Sequence, residues 1–187
     1  DDSGTGPDTD RGVSTELVQA QLRLARRRSP GTSEVAVPLA DDPAGVGPAL
    51  QIVTDHTALL MDSVTVLLHR LGVPYTSVMH AGLRVRRGPG GELLAVRTAS
   101  DAPADDAAGT TVEEAWIHVQ LSPSADRRAV AEAAELLPGV LADSRQVALD
   151  HAGLTAAFAE VATRLETAPH RFAERDRAEV AELLRWL

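Results

Sequence analysis

The stretch IVTDHTALLMDSVTVLLHRLG, residues 52–72, contains a predicted strand-to-helix turn with several polar side chains around it. These are Thr54, Asp55, His56 and Asp62, and Ser63 follows. An aspartate at such a turn can cap the helix, because its carboxylate accepts a hydrogen bond from a free backbone N–H and favours the positive end of the helix dipole. The same geometry suits an amino-acid ligand, because free N–H groups bind a carboxylate and a neighbouring acid holds an ammonium group. The residues leave both alternatives open. The candidate ligand-binding set is Thr54, Asp55, His56, Asp62 and Ser63.

A second candidate set belongs to the predicted sheet, on a face that the predicted helices leave open. It consists of Val78, His80, Trp116, His118 and Gln120, and it mixes apolar with polar side chains. Aromatic residues of this kind are enriched at protein interfaces. We therefore expect either an interface at this face or a face that is covered by the N-terminal or C-terminal helices.

Neither set has the pattern of a metal site or of a catalytic centre. The acids and histidines among them show no HExxH or other metal-binding spacing, and the GPGGE stretch at 88–92 lacks the GK[ST] ending of a phosphate loop. Ser63 is not part of a GxSxG elbow. We expect no metal, no catalytic residue and no enzyme activity in this chain.

Composition narrows the class of protein. The chain has 187 residues, of which 44% are hydrophobic, so it suits one domain with extra elements or two small ones. It has no cysteine, which excludes disulfides and fits a reducing, cytoplasmic location. The net charge of −9 argues against nucleic acid as a partner, and no stretch is long and apolar enough to predict a membrane span.

Periodicity and turn signals predict the order strand, strand, helix, strand, strand, strand, helices. We expect a disordered head at 1–12, an N-terminal helix segment at 13–31, an α/β sandwich at 33–123 and C-terminal helices at 124–187. The predicted strands cover 34–39, 50–54, 73–86, 93–98 and 115–121. Pro138 and Gly139 are expected to kink or break the helix that starts at Ala125. The predicted class is α+β, with an antiparallel sheet and helices packed on one of its faces.

The stretch 52–72 also resembles the N-terminal signature of the large bacterial NAD-specific glutamate dehydrogenases. The matching residues there are Asp55, Leu60, Asp62, Ser63 and Val64, whereas Thr54, His56, Ala58, Leu59 and Met61 depart from it. Further motifs follow in the same order: His80 in the next strand, Glu114, Trp116 and His118 in EAWIHVQL, Val140, Leu141, Asp143, Arg145 and Asp150 in VLADSRQVALDH, and Arg185, Trp186 and Leu187 at the end. The resemblance covers 52–187, and its weight comes from the order of the motifs.

This resemblance implies an ACT-like regulatory domain with a ferredoxin-like βαββαβ sandwich, extended here by N- and C-terminal helices. It implies an amino-acid effector near the first strand-to-helix turn, contacts with other domains of the same subunit, a homo-oligomer, and a role in glutamate catabolism. The NAD of this family belongs to a downstream catalytic domain, so we expect no cofactor here. The alternative is a purely structural assembly domain of the same large subunit. An exposed Trp116 would favour assembly, and a polar pocket beside Asp55 would favour sensing.

Overall fold

A computed structural model describes residues 14–97, 109–167 and 173–186 of the chain. Its helices are α1 (Thr15–Leu24), α2 (Leu60–Arg70), α3 (Arg127–Thr167) and α4 (Glu174–Trp186). Its strands are β1 (Glu34–Ala36), β2 (Ala49–Asp55), β3 (Tyr75–Arg87), β4 (Leu93–Arg97) and β5 (Thr110–Leu121). The order of elements is the predicted one, although β5 begins five residues before its first predicted residue. The head predicted to be disordered at 1–12 lies outside the described residues.

The five strands form one antiparallel sheet in the order β1-β2-β5-β3-β4. Since β2 and β3 both run antiparallel to β5, they are parallel to each other, and α2 connects them around the inserted β5. This split βαβ unit is the defining part of a ferredoxin-like sheet. The α+β, ACT-like prediction is confirmed, and β1 occupies the edge beside β2.

The main core lies on the face of the sheet that α2 and α3 cover. Helix α2 buries Leu60, Val64, Leu67 and Leu68, whose spacing forms one stripe of the helix. These side chains pack with inward-facing strand residues such as Ile52. This face therefore has the predicted architecture of a sheet with helices packed against it.

Helix α1 packs on the second face of the sheet, so that face is partly covered. The amide of Gln21 donates to the carbonyl of Ile117 at 2.8 Å. A smaller buried cluster of Ala25, Val53, Val85 and Trp116 lies beneath the end of the helix. The N-terminal helix thus covers part of this face, as one of the two sequence-based alternatives expected.

Helix α3 runs through Pro138 without a break for 41 residues, so the predicted break is wrong. The proline removes one backbone donor, but Leu137 and Leu141 on either side are buried in the main core and hold the helix together by packing. Helix α4 folds back on α3, and Ala162 and Ala181 are fully buried. Within the described residues, none of the helices combines the length and the apolar character that crossing a bilayer requires.

Candidate functional site

A buried charge network occupies the second face of the sheet near the end of α1. Glu114 of β5 is 0% exposed, and it lies between Arg28 and Arg87, each 1% exposed. The carboxylate accepts from Arg28 Nη2 at 2.7 Å and from Arg87 Nη2 at 2.8 Å. The indole N–H of Trp116 donates to it at 3.0 Å. One buried acid thus holds together the segment after α1, the end of β3 and the centre of β5.

Backbone carbonyls satisfy the remaining guanidinium donors. Arg28 Nη1 donates to the carbonyl of Thr32 at 2.7 Å, and Arg87 Nη1 donates to the carbonyl of Ala25 at 2.6 Å. Burial alone would raise the pKa of Glu114. The hydrogen bonds from Arg87, Trp116 and Arg28 outweigh burial, so its pKa lies below the usual range and the group is a carboxylate.

Asp55 at the end of β2 extends this network to the surface. Its Oδ1 lies 2.8 Å from Arg28 Nη2, and its Oδ2 accepts from the backbone N–H of Gly31 at 2.9 Å. Arg145 of α3 reaches Oδ2 with the longer distance of 3.4 Å. The Asp55 and Arg145 side chains are 22% and 24% exposed. This outer ion pair, which joins the sheet to α3, is the accessible part of the network.

Asp55 does not cap α2, so that sequence-based alternative is wrong. The helix begins at Leu60, and the capping residue is Leu59, which has a φ of 62° and makes no side-chain cap hydrogen bond. The segment 56–59 separates the acid from the helix. The first turn of α2 therefore has no side-chain cap, and Asp62 supplies an acidic side chain within it.

The other members of the predicted ligand set have separate environments. Thr54 is buried, and its hydroxyl lies 2.8 Å from that of Ser33. The Ser63 hydroxyl donates to the carbonyl of Leu59 at 2.8 Å. Of the five predicted residues, Asp55 alone has its side chain in the charge network among the described contacts.

His56 stacks on His80, which was predicted in the other set. The ring centroids are 5.8 Å apart and the planes differ by 8°. The His56 ring also lies beside Gly82, where an added Cβ would approach it to 3.2 Å. Burial and the nearby charge of His56 lower the pKa of His80. The two predicted sets thus meet at this stack.

The five residues of the predicted interface set do not share one face of the sheet. His80 pairs with Ile117, which is in the main core, whereas Trp116 pairs with Ala81. Because side chains alternate along a strand, Val78 and His80 lie on the α2–α3 face, and Trp116, His118 and Gln120 lie on the α1 face. Trp116 is only 8% exposed, so it lacks the exposure that would favour assembly.

His118 is the centre of a line of polar side chains beneath α1. Its Nδ1 lies 3.4 Å from Gln51 Nε2, and its Nε2 lies 3.3 Å from Gln120 Oε1. An amide N–H can only donate, so the neutral ring that fits carries its proton on Nε2. Burial lowers the pKa of His118 against the smaller opposing effect of Gln120. Among the described residues no group of three potential metal-binding side chains is found.

Four residues of the charge network are absent from the site residues predicted from sequence patterns: Arg28, Arg87, Glu114 and Arg145. The family resemblance includes two of them, Glu114 and Arg145. A signal for Glu114 exists in the sequence. It alternates with Trp116 and His118 along β5, so it must share their face and be covered with them. A buried acid requires a cationic partner, and the sequence offers arginines in two short runs, at 26–28 and 84–87.

Two comparisons with known proteins bear on this arrangement. The family model for the ACT1 domain of glutamate dehydrogenase matches residues 12–137. The chain is also 47% identical over 176 residues to the NAD-specific glutamate dehydrogenase of Mycobacterium tuberculosis (strain ATCC 25618 / H37Rv). That match covers 94% of this chain and 10% of the relative.

Proposed function

The chain belongs to the glutamate dehydrogenase ACT1 domain family, and we propose that it is an amino-acid-sensing regulatory domain of an NAD-specific glutamate dehydrogenase. It spans about a tenth of the length of the relative it matches. We propose that glutamate oxidation and NAD binding belong to other parts of such a protein. We further propose a cytoplasmic, oligomeric enzyme in which this domain contacts other domains of its own subunit.

The observation that carries the proposal is the partly exposed ion pair between Asp55 and Arg145. The pair is long, at 3.4 Å, and it joins two separate elements, β2 and α3. An α-amino acid can insert between the two side chains, so that its ammonium group binds Asp55 and its carboxylate binds Arg145. Each charge of the ligand then has an opposite charge, and the arginine fork suits a carboxylate.

The start of α2 lies close to this pair and favours the same ligand. The Ser144 hydroxyl, next to Arg145, donates to the carbonyl of Ala58 at 3.3 Å. The first turn of α2 has no side-chain cap at Leu59, so its backbone N–H groups are available to an anion. The Thr57 hydroxyl is buried without a hydrogen-bond partner among the described residues. A carboxylate near Arg145 gains from these donors.

In this proposal, the position of Arg145 in α3 couples ligand binding to the rest of the protein. It is part of α3, which packs on the sheet and carries α4 at its far end. A ligand that separates Arg145 from Asp55 favours a different position of α3 relative to β2. The bias then passes along the helix to whatever the α3–α4 hairpin contacts. Coupling of this kind is typically about 1–3 kcal/mol.

The test is a thermal-shift screen of the chain against the twenty amino acids, followed by calorimetric titration of any that raise the melting temperature. Asp55→Asn and Arg145→Gln should each weaken binding at least tenfold. Arg128→Gln is the matched control for Arg145→Gln, because it removes the same charge at an exposed position of α3. If no amino acid binds, or if the Asp55 and Arg145 variants bind as well as the control, the proposal is wrong.

A second candidate function, assembly without a ligand, is favoured by one surface of α3. Val147, Leu154 and Val161 recur at intervals of seven residues and are 55%, 50% and 42% exposed. Such a stripe is the kind that pairs with another helix. Leu154→Glu should then lower the molecular mass measured by light scattering, with Thr155→Glu as the neighbouring control. An unchanged mass would argue against assembly through this stripe.

A further inference from the structure

A cavity of about 380 Å³ lies between α1 and the second face of the sheet. Leu17, Val18 and Leu22 of α1 form one wall, and Met79, Ala81 and Trp116 belong to the opposite wall. Its volume falls within the range of about 300–1,000 Å³ that is usual for small-molecule sites. The cavity differs from the Asp55–Arg145 pair in its lining residues and in its chemistry.

The wall formed by α1 carries one unused hydrogen-bond acceptor. Gln21 is 5% exposed, and its amide Nε2 is already committed to the carbonyl of Ile117 at 2.8 Å. Its Oε1 is buried and has no hydrogen-bond partner among the described residues. Buried acceptors are almost always paired, so a donor from a bound molecule is the natural partner of this oxygen.

The lining offers no charge to a ligand. Within the described part of the chain, it contains no aspartate, glutamate or arginine, and its titratable side chains are those of His80 and His118. Burial and the nearby charge of His56 lower the pKa of His80. His118 uses both ring nitrogens in bonds with Gln51 and Gln120, and burial lowers its pKa, so it is neutral at pH 7. A carboxylate, a phosphate or an ammonium group would lose its water here without gaining a partner. Amino acids and nucleotides are therefore poor ligands for this cavity.

We propose that the cavity binds a small, neutral, largely apolar molecule that donates one hydroxyl or N–H hydrogen bond to Gln21 Oε1. An aliphatic side chain from a second copy of the chain could fill the space, but it would leave this acceptor unpaired. The bound molecule would contact both α1 and the sheet, and it would therefore hold α1 in place. This inference does not depend on amino-acid binding at Asp55.

The test compares two probes that differ in the hydrogen-bond donor, 4-propylphenol and its methyl ether, 4-propylanisole. The chain has two tryptophans, so Trp186→Phe leaves Trp116, in the cavity wall, as the one fluorescent indole. Titration should show the phenol binding at least tenfold more tightly than the ether. Gln21→Leu should abolish this preference, and Gln21→Met provides a second variant without the acceptor.

Ala81→Leu should weaken both probes at least tenfold, because the larger side chain occupies the cavity. Ala156→Leu makes the same change at an exposed position of α3 and should leave binding unchanged. Equal affinity for the two probes, or binding that Ala81→Leu does not weaken, would overturn the proposal. The proposal would also be overturned if neither probe bound and the chain formed a dimer that Val18→Asp dissociates. The cavity would then be part of a contact between two copies of the chain.

Discussion

Replacing Glu114 by glutamine should be among the most destabilising conservative changes available in this chain. The amide keeps the shape of the carboxylate but removes its charge, and Arg28 and Arg87 remain 1% exposed beside it. In the variant, Arg28 keeps its ion pair with Asp55, at 2.8 Å. Arg87 loses its carboxylate partner, because among the described residues that partner is Glu114. Breaking a buried ion pair in this way costs roughly 3–5 kcal/mol. That is a large part of the 5–15 kcal/mol that is usual for a domain.

Urea unfolding followed by circular dichroism measures this loss. With an m-value of about 2 kcal/mol/M, the midpoint should fall by roughly 2 M. Glu113→Gln is the matched control, because its side chain is 68% exposed and lies 3.8 Å from Arg84, which predicts a change below about 1 kcal/mol. The double variant Glu114→Leu with Arg87→Met removes both charges and should recover much of the loss. If Glu114→Gln lowers stability by no more than the control does, the buried network does not stabilise the fold.

Two further predictions concern protonation and backbone geometry. Burial lowers the pKa of His118, so the folded state binds fewer protons than the unfolded state, and stability falls as pH drops below about 6.5 towards the folded pKa. His118→Gln should therefore reduce the change in melting temperature between pH 7.5 and 5, whereas His69→Gln, at an exposed position, should not. Equal pH dependence in the two variants would exclude His118 as the cause. Leu59 has a φ of 62° and is 55% exposed. Leu59→Gly should raise the free energy of unfolding by up to about 1 kcal/mol, because glycine adopts this conformation without strain. A lower free energy of unfolding in urea would contradict this prediction.

The elements were predictable from the sequence because each depends on local periodicity. Alternation along β3 and β5, and the spacing of apolar residues in α2, are visible within a dozen residues. The break at Pro138 was predicted wrongly, since the local cost of a proline is offset there by packing that the sequence does not display. The same limit applies to α1, whose partner face became known only from the assembled sheet.

The charge network could not be predicted from local pattern, because its contacts are distant in sequence. Arg28 and Glu114 are 86 residues apart, and Arg145 and Asp55 are 90 apart. The turn at Asp55 suggested a helix cap, and the structure instead gives that acid two arginines and a backbone N–H. The sequence did predict that the Asp55 carboxylate accepts a hydrogen bond from a backbone N–H, but the donor is Gly31 and not the start of α2.

Arg28 links the two proposed sites, because it lies in the short segment that follows α1. It follows α1 in the chain and lies 2.8 Å from Asp55, while α1 forms one wall of the apolar cavity. An amino acid that changes the partners of Asp55 therefore alters the ion pair between Asp55 and Arg28 that fixes the end of α1. A molecule in the cavity contacts α1 and alters the position of Arg28 relative to Asp55. Coupling between two bound ligands is reciprocal. If 4-propylphenol changes the affinity for an amino acid by some factor, the amino acid must change the affinity for 4-propylphenol by the same factor, and Arg28→Met should bring both factors towards one.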